Sequence, residues 1–334
     1  MSWAPARNPR HSGREGGQGD KPFLTWYDDA HGQRVELSFK TFGNWVAKVA
    51  NLLVEELGAG PGDRVAVLAG RWQAAVVLAA CWRAGAGVVA VEPEAAVPTG
   101  VVAAFVGEER VAQAAALSAA PGGPALVAIT IDLAGRSEHD LGAARNFARV
   151  VPAMGDLFTG GAEVEGEALR RVPAATAPPG GNPATGGAPG PEGAHGSAGV
   201  APAQAATMAE LLGEAARLTE RTGLGDGDRL LSGLPLLTPT GAATGLLAPF
   251  GSGAGVVLAS AFEPARFWKR VADERVTVAA LSPAQAESVL AAGPPPEDLD
   301  RSRLRAVACP AAHVAETLRT GFRDRLGVPM LPDD

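Results

Sequence analysis

The chain has 334 residues, of which 46% are hydrophobic and 19% are charged, and its formal net charge is −7 at pH 7. This length suits one large or two ordinary globular domains. The acidic balance argues against binding to nucleic acid or to an anionic membrane, and the lack of an apolar run of about 18 residues argues against a membrane span.

The N-terminal segment, residues 1–22, is polar and rich in glycine, so it is predicted to be disordered and is not a signal peptide. The two cysteines, Cys81 and Cys309, stand in no metal-ligand or disulfide pattern. Cys309 and His313 are four residues apart, but the small apolar residues around Cys309 favour a structural cysteine over a nucleophile. These features predict a cytoplasmic protein without a metal site.

A first α/β lobe is predicted for residues 23–172. Apolar residues recur at helical spacing over 42–57, which predicts an amphipathic helix with Ser38 or Thr41 as its cap and Gly58 at its end. The strand, helix and strand that follow are typical of a parallel sheet with crossover helices. The other predicted elements of this lobe are strands at 64–69, 87–91, 100–106 and 125–132 and helices at 72–84, 108–117 and 139–150.

Between the two lobes, residues 173–206 consist largely of proline, glycine and alanine, with no aromatic residue, lysine or arginine. Such a segment cannot bury enough apolar surface to fold, so it is predicted to be a disordered linker.

A second α/β lobe is predicted for residues 207–334, again from alternating strands and helices. The sequence contains no evident internal repeat. Because the chain ends directly after a predicted strand, no C-terminal catalytic domain is predicted. The predicted strands are 229–232, 255–259, 276–281, 304–309 and 328–331, and the predicted helices are 208–222, 241–250, 264–274, 283–292 and 313–326.

Residues 58–94 read GAGPGDRVAVLAGRWQAAVVLAACWRAGAGVVAVEPE, and the stretch 36–93 resembles the opening of adenylate-forming enzymes. That superfamily includes acyl-CoA synthetases, acyl-AMP ligases and peptide adenylation domains. Within it, the chain is most similar to a group of short bacterial proteins related only to the N-terminal part of those enzymes. The resemblance implies parallel-sheet α/β lobes and a reaction in which a carboxylate attacks ATP before a thiol takes the acyl group. Further matching segments are 230–258, 262–290 and 304–331.

The resemblance places the superfamily's phosphate loop, which is rich in Ser, Thr and Gly and ends in lysine, within the proline-rich segment. The nearest stretch, residues 185–189, has no lysine, and no lysine lies between Lys48 and Lys269. The prolines around it have no N–H to donate to a phosphate. The segment is therefore interpreted as a linker and not as a nucleotide cradle.

The acyl-site segment of acyl-CoA synthetases often reads Pro-Leu-Phe-His and then Gly, and this chain has Pro235, Leu236, Leu237, Thr238 and then Gly241. The resemblance makes Pro235, Thr238 and Gly241 the candidate ligand-pocket residues, with a hydroxyl in place of the imidazole. The alternative interpretation is a strand-to-helix turn, which Thr, Pro and Gly favour without any ligand.

In the superfamily, a glycine-rich turn lets the backbone approach adenine. The corresponding residues here, 308–312, are alanine, cysteine and proline, whose side chains occupy positions where close approach needs glycine. The superfamily's magnesium-serving carboxylate would follow Leu331. No catalytic or metal-binding residue is therefore assigned, and no cofactor-binding residue is identified.

Three functional hypotheses follow from these features. The preferred one is a catalytically degenerate relative of AMP-binding enzymes that binds a small acyl or nucleotide-like molecule or a protein partner. The second is an active ATP-dependent carboxylate-activating enzyme of the acyl-CoA synthetase or acyl-AMP ligase type, which would use Mg-ATP and form AMP. The third is an interaction scaffold without a ligand.

Overall fold

The structure, a computed structural model, describes most of the chain, namely residues 18–93, 95, 98–119, 121–173, 204–296, 298–310 and 314–331. Residues 1–17 of the predicted N-terminal segment and residues 174–203 of the predicted linker lie outside this part of the chain. None of the helices in the described ranges combines the length and apolar character that crossing a bilayer requires.

The described residues form fourteen strands and ten α-helices. The strands are β1 (Pro22–Asp28), β2 (Gln33–Ser38), β3 (Arg64–Leu68), β4 (Gly87–Val91), β5 (Ala103–Gly107), β6 (Ala125–Ile129), β7 (Arg145–Asn146), β8 (Glu167–Val172), β9 (Gln204–Thr207), β10 (Arg229–Ser232), β11 (Gly255–Ala259), β12 (Val278–Ala280), β13 (Ala306–Ala308) and β14 (Met330–Leu331). The helices are α1 (Phe39–Asn51), α2 (Trp72–Ala84), α3 (Val111–Ser118), α4 (Phe147–Val150), α5 (Met208–Thr222), α6 (Pro239–Ala242), α7 (Ala248–Ser252), α8 (Pro264–Asp273), α9 (Pro283–Ala291) and α10 (Glu316–Leu326).

The strands form two seven-stranded sheets that share one topology. Sheet A has the strand order β14-β13-β12-β10-β11-β1-β2, and sheet B has the order β7-β6-β5-β3-β4-β8-β9. In each sheet the last strand named is antiparallel to its neighbour, and every other pairing is parallel. The predicted α/β class with parallel-sheet lobes is therefore confirmed.

The local sequence follows this shared topology. A Gly-Pro-Gly-Asp turn at 60–63 precedes β3, and a Gly-Asp-Gly-Asp turn at 225–228 precedes β10. In both turns the aspartate carboxylate accepts a hydrogen bond from the amide of the first glycine at 2.9 Å. The next strand begins with Gly-Val-Val in both sheets, at Gly87 and at Gly255. The fold thus contains an internal repeat that the sequence patterns did not reveal.

The predicted lobes do not coincide with the sheets. The β1–β2 hairpin precedes sheet B in the chain but belongs to sheet A, where Thr25 lies opposite Val257 of β11. β9 is the antiparallel edge strand of sheet B, and it begins at Gln204, inside the segment predicted as a linker. Both differences come from pairing between distant segments, which periodicity within one segment does not reveal.

The main hydrophobic core lies between the two sheets, because alternate residues of a strand point to opposite faces. In β3, Val65 and Val67 join this core, whereas Ala66 and Leu68 join a separate cluster with Ala114 of α3. Helices α1, α2 and α5 supply further buried residues to the central core, and α8, α9 and α10 cover the outer face of sheet A. Each sheet therefore carries helices on both faces, as parallel sheets require.

Helices α2 and α5 have the predicted bounds. The cap of α1 is Ser38, whose hydroxyl accepts from the Thr41 amide at 3.1 Å. The helix predicted over 139–150 is wrong for most of its length, and only α4 at its end is helical. The physical reason is Asn146, which caps α4 by accepting from the Ala148 amide at 3.0 Å, so that the preceding residues form a loop.

Candidate functional site

The carboxyl edge of sheet A contains a topological switch. The chain passes from β10 to β11 on one side and from β12 to β13 on the other, while β10 and β12 are neighbours. Open α/β sheets bind ligands in the crevice at such a point. The loops after β10, residues 233–238, and after β12, residues 281–282, therefore frame the candidate site.

The structure brings the three predicted pocket residues together in one turn. The Thr238 hydroxyl caps α6 by accepting from the Gly241 amide at 3.0 Å, and it donates to the Pro235 carbonyl at 2.8 Å. A Cβ on Gly241 would lie 1.8 Å from the Pro235 carbonyl oxygen, so a side chain cannot be placed there without moving the backbone. The geometry is that of a strand-to-helix turn, and a role of these residues in ligand binding stays a prediction.

The helix after this turn is interrupted between α6 and α7 by a π-helical stretch, Ala243–Leu247. Such stretches occur frequently at functional sites. Gly245 in this stretch faces the end of β10, because a Cβ on it would lie 3.4 Å from the Ser232 hydroxyl oxygen. That hydroxyl is buried and has no hydrogen-bond partner among the described residues. Ser232 is therefore a further candidate for a polar contact, and its only signal in the sequence is a hydroxyl residue that closes an apolar strand.

A small cavity opens beside the end of β10. The empty volume, including the open mouth, is about 280 Å³. The centre of a water molecule can reach only about 10 Å³ of this volume, so the cavity has room for roughly one water. Gly233 forms part of the wall, and a Cβ on Gly233 would come within 2.8 Å of the Phe262 ring. The residues that line the cavity are Leu231, Ser232, Gly233, Ala259, Phe262, Phe267 and Arg270.

The cation at this cavity is already paired. Arg270 is buried and forms an ion pair with Asp29, and its guanidinium lies 5.0 Å from the centre of the Tyr27 ring. Asp29 also accepts from Arg266 at 3.2 Å. The charge of the Arg270 guanidinium is therefore already compensated by a carboxylate.

None of the four lysines lines the cavity. Lys40 is in the first turn of α1, and the other three form ion pairs with aspartates. These pairs are Lys21 with Asp226 at 2.7 Å, Lys48 with Asp156 at 2.7 Å and Lys269 with Asp273 at 2.5 Å.

Helix α6 also packs against β8 and β9 of sheet B. Since β8 ends just before the predicted linker and β9 includes the linker's last residues, the described structure at both ends of the linker lies beside the candidate site. Arg170 and Arg171 of β8 are the cations at this place, and they form ion pairs with Glu167 and Glu92.

The turn that corresponds to the adenine-binding segment is described only as far as residue 310. Cys309 is buried at the end of β13, as expected of a structural cysteine, and its predicted neighbour His313 lies outside the described residues. Within the described ranges, no group of three His, Cys, Asp or Glu side chains is placed to hold a metal ion.

Two sequence comparisons identify relatives. The profile of the family described as AMP-binding enzyme matches residues 14–120 and 198–332. A TIGR03089 family protein of Mycobacterium tuberculosis (strain H37Rv) is 33% identical over 260 residues, which cover 77% of this chain and 90% of that protein.

Solved structures share the fold. Acyl-CoA synthetase of Brucella canis superposes on this chain with a TM-score of 0.70 and 19% sequence identity. The match covers 95% of this chain and 54% of the synthetase chain. The anthranilate CoA ligase AuaEII, solved with anthranoyl-AMP, has a TM-score of 0.67 and 16% identity over 93% and 56% of the two chains. MatB of Rhodopseudomonas palustris has a TM-score of 0.66 and 15% identity over 94% and 56%. The chain spans about half the length of these structures, and such identities establish the common fold alone.

Proposed function

Because the chain belongs to the AMP-binding enzyme family, we propose that it is a catalytically degenerate member that binds a small acyl or nucleotide-like ligand at the carboxyl edge of sheet A. The observation that carries this proposal is the pairing of Arg270 with Asp29. Among the described residues that line the cavity, Arg270 is the only cation, so the site offers no unpaired positive charge to a triphosphate.

Charge is decisive for adenylate formation. Attack of a carboxylate on the α-phosphorus of ATP transfers negative charge to the departing pyrophosphate, and enzymes stabilise it with preorganised cations and N–H donors. In this site the hydroxyl proton of Thr238 is donated to the Pro235 carbonyl. Neither Thr238 nor Arg270 is therefore available to support the reaction, although a neutral or weakly charged ligand remains compatible with the site.

The cavity limits the size of the group that enters it. Its walls are mainly apolar, with Leu231, Phe262 and Phe267 around the buried hydroxyl of Ser232. With room for roughly one water, it accepts only a short chain or a small polar end of a ligand. The rest of such a ligand would lie across the mouth, over the loop at 233–238.

Two measurements on the full chain test the proposal. Calorimetry with AMP, Mg-ATP and a panel of short acyl-CoA compounds is expected to detect binding of at least one of them. ATP–pyrophosphate exchange with a panel of carboxylates is expected to stay at background. Robust exchange with any carboxylate would overturn the proposal of degeneracy.

A pair of glycine substitutions tests the location. Gly233→Ala places a Cβ against the Phe262 ring and should weaken ligand binding by filling the crevice. Gly251→Ala is the matched control, since a Cβ there meets nothing within 4 Å. If the two variants bind the ligand equally well and their thermal midpoints show that both are folded, the ligand binds outside this crevice.

Each of the other two hypotheses has one observation in its favour. The fold shared with Brucella canis acyl-CoA synthetase favours an active ATP-dependent enzyme, for which pyrophosphate exchange is the deciding measurement. The small size of the cavity favours an interaction scaffold without a ligand. The scaffold predicts no thermal shift with AMP, Mg-ATP or acyl-CoA, whereas the proposed ligand-binding role predicts a shift with one of them.

We also propose that the protein acts in the cytoplasm. Cys81 and Cys309 are both buried and form no disulfide. Burial raises the pKa of the Cys81 thiol far above its ordinary value, so this cysteine is not a reactive thiolate. Detection of the protein in the soluble fraction of fractionated cells tests this location.

A further inference from the structure

A second crevice lies at the carboxyl edge of sheet B, because sheet B repeats the strand order of sheet A. Its switch point, between β3 and β5, is closed by ion pairs. Arg71 donates to Glu109 at 3.0 Å, and its guanidinium lies 3.8 Å from the buried carboxylate of Glu108. A ligand at this edge must therefore bind beside the switch point and not in it.

The loop that connects β6 to β7 forms a rigid wall next to these ion pairs. The buried carboxylate of Glu108 accepts hydrogen bonds from the Ile131 amide and the Ser137 hydroxyl of this loop. At the other end of the loop, the Asn146 side chain donates to the Gly135 carbonyl at 2.8 Å. These three hydrogen bonds fix the course of the loop, so the surface beside it is preformed.

This surface is an open groove with a volume of about 440 Å³. Polar and charged side chains form most of its lining, namely Arg136, Ser137, His139, Asn146 and Arg149. The side-chain polar groups of Ser137 and Asn146 are already used by the loop. Of the remaining three side chains, Arg136 and Arg149 supply positive charge and the His139 ring supplies a further N–H donor.

The balance of charge in the groove is positive. Arg136 forms an ion pair with Asp132 at 2.7 Å, whereas Arg149 and the His139 ring are exposed and have no side-chain partner among the described residues. Glu138 and Asp140 flank His139 in the chain but do not line the groove. One guanidinium and one imidazole thus face the groove without a compensating carboxylate.

We propose that this groove binds a small oxyanion of the inorganic phosphate type, with Arg149 and His139 as its direct ligands. A guanidinium presents paired N–H groups that match two oxygens of a phosphate, and an imidazole N–H can donate to a third. The site lies on sheet B and the cavity lies on sheet A. Evidence for or against phosphate binding here therefore does not decide the function proposed above.

Calorimetry with inorganic phosphate at constant ionic strength tests the site, with sodium chloride as the reference salt. Wild-type protein is expected to bind phosphate, and Arg149→Gln and His139→Gln are each expected to bind about tenfold more weakly, the effect of one charge-assisted hydrogen bond. Both side chains are exposed and unpartnered in the described structure, so the thermal midpoints of the variants without phosphate should match wild type.

Arg325→Gln is the matched control, because Arg325 is an exposed arginine of α10 on sheet A. It should bind phosphate as wild type does. The proposal is overturned if phosphate fails to bind, if Arg325→Gln weakens binding as much as Arg149→Gln, or if chloride competes equally. AMP binding that is lost in Arg149→Gln but kept in Gly233→Ala would support this groove and contradict the ligand site proposed on sheet A.

Discussion

The amide of Gly241 donates to the hydroxyl of Thr238 at 3.0 Å and thereby closes the turn from β10 into α6. This bond fixes where α6 begins, and α6 in turn packs against β8 and β9 of the other sheet. A hydrogen bond between two residues of one turn therefore helps to position the contact between the sheets beside the candidate site.

The space around Gly241 leads to the first prediction. Gly241→Ala should lower the free energy of unfolding by about 3 kcal/mol, because the new Cβ would lie 1.8 Å from the Pro235 carbonyl oxygen and the backbone must move. Urea unfolding measures this change. Gly251→Ala, in the open position of α7, should be neutral or slightly stabilising; an equal loss in both variants would contradict the steric explanation.

The repeated topology supplies the second prediction. Gly87 and Gly255 begin equivalent strands, but a Cβ on Gly87 would lie 2.6 Å from the Glu167 carbonyl oxygen, and a Cβ on Gly255 would lie 3.1 Å from the Pro22 carbonyl oxygen. Gly87→Ala should therefore cost about 3 kcal/mol and Gly255→Ala about 1 kcal/mol in unfolding free energy. Denaturant midpoints in the reverse order would refute this ranking.

The third prediction concerns the buried carboxylate of Glu274, which accepts from Tyr27, from Arg34 at 3.0 Å and from Arg229 at 2.5 Å. Glu274→Gln should destabilise by about 3 kcal/mol, since it removes the charge of the buried carboxylate that pairs with both guanidiniums and leaves them only the more exposed carboxylate of Glu36. Tyr27→Phe removes one hydrogen bond and should cost about 1 kcal/mol. Thermal unfolding of the two variants compares these effects, and similar midpoints would show that the ion pairs contribute little.

The fourth prediction is a loss of stability in acid. Burial alone would raise the pKa of Glu36, but hydrogen bonds and charge from Arg34 and Arg229 outweigh it and hold this pKa below its ordinary 4.5. Burial would also raise the pKa of Asp228, but hydrogen bonds from Arg305 and from the Gly225 amide keep this pKa below its ordinary 3.8.

A lowered pKa contributes stability above the ordinary value and loses it as the pH falls through the value in the folded state. These two groups should therefore leave the urea midpoint unchanged between about pH 7 and pH 5 and lower it below about pH 4. Asp228→Asn should be less stable than wild type at pH 7 and should lose less on acidification. A slope equal to that of wild type would rule out Asp228 as a source of the effect.

The elements that the sequence predicts well are those with local signals at one or both ends. α5 begins with a capping box between Thr207 and Glu210 and ends at Gly223, which has a left-handed backbone. α2 ends in the same way at Gly85. Each of these signals lies within one helix or beside it, so no knowledge of the tertiary fold was needed.

The strands β1, β2 and β8 do not follow from the sequence. β1 and β8 pair with β11 and β4, which are far away in the chain, and β2 is the edge strand beside β1. In β2, Arg34 and Glu36 are exposed residues of an edge strand, and their ion pairs reach Glu274 and Arg229. In a short edge strand that carries such charges, the alternation of apolar and polar residues is a weak signal by itself.

The same distinction applies to the candidate site. The turn of Pro235, Thr238 and Gly241 could be found from the sequence because its hydrogen bonds span three residues. The cavity could not be found, since it also needs Phe262 and Arg270, which reach the end of β10 only through the order of the strands.

The place of the β1–β2 hairpin also has a consequence for biosynthesis. The hairpin leaves the ribosome before sheet B, yet the strand opposite Thr25 is β11, which is translated only after the whole of sheet B. Sheet B can be completed on the nascent chain, whereas the hairpin must wait with one edge unpaired until Val257 emerges. Truncated chains that stop before β11 should therefore expose this edge and aggregate, even though their own sheet is complete.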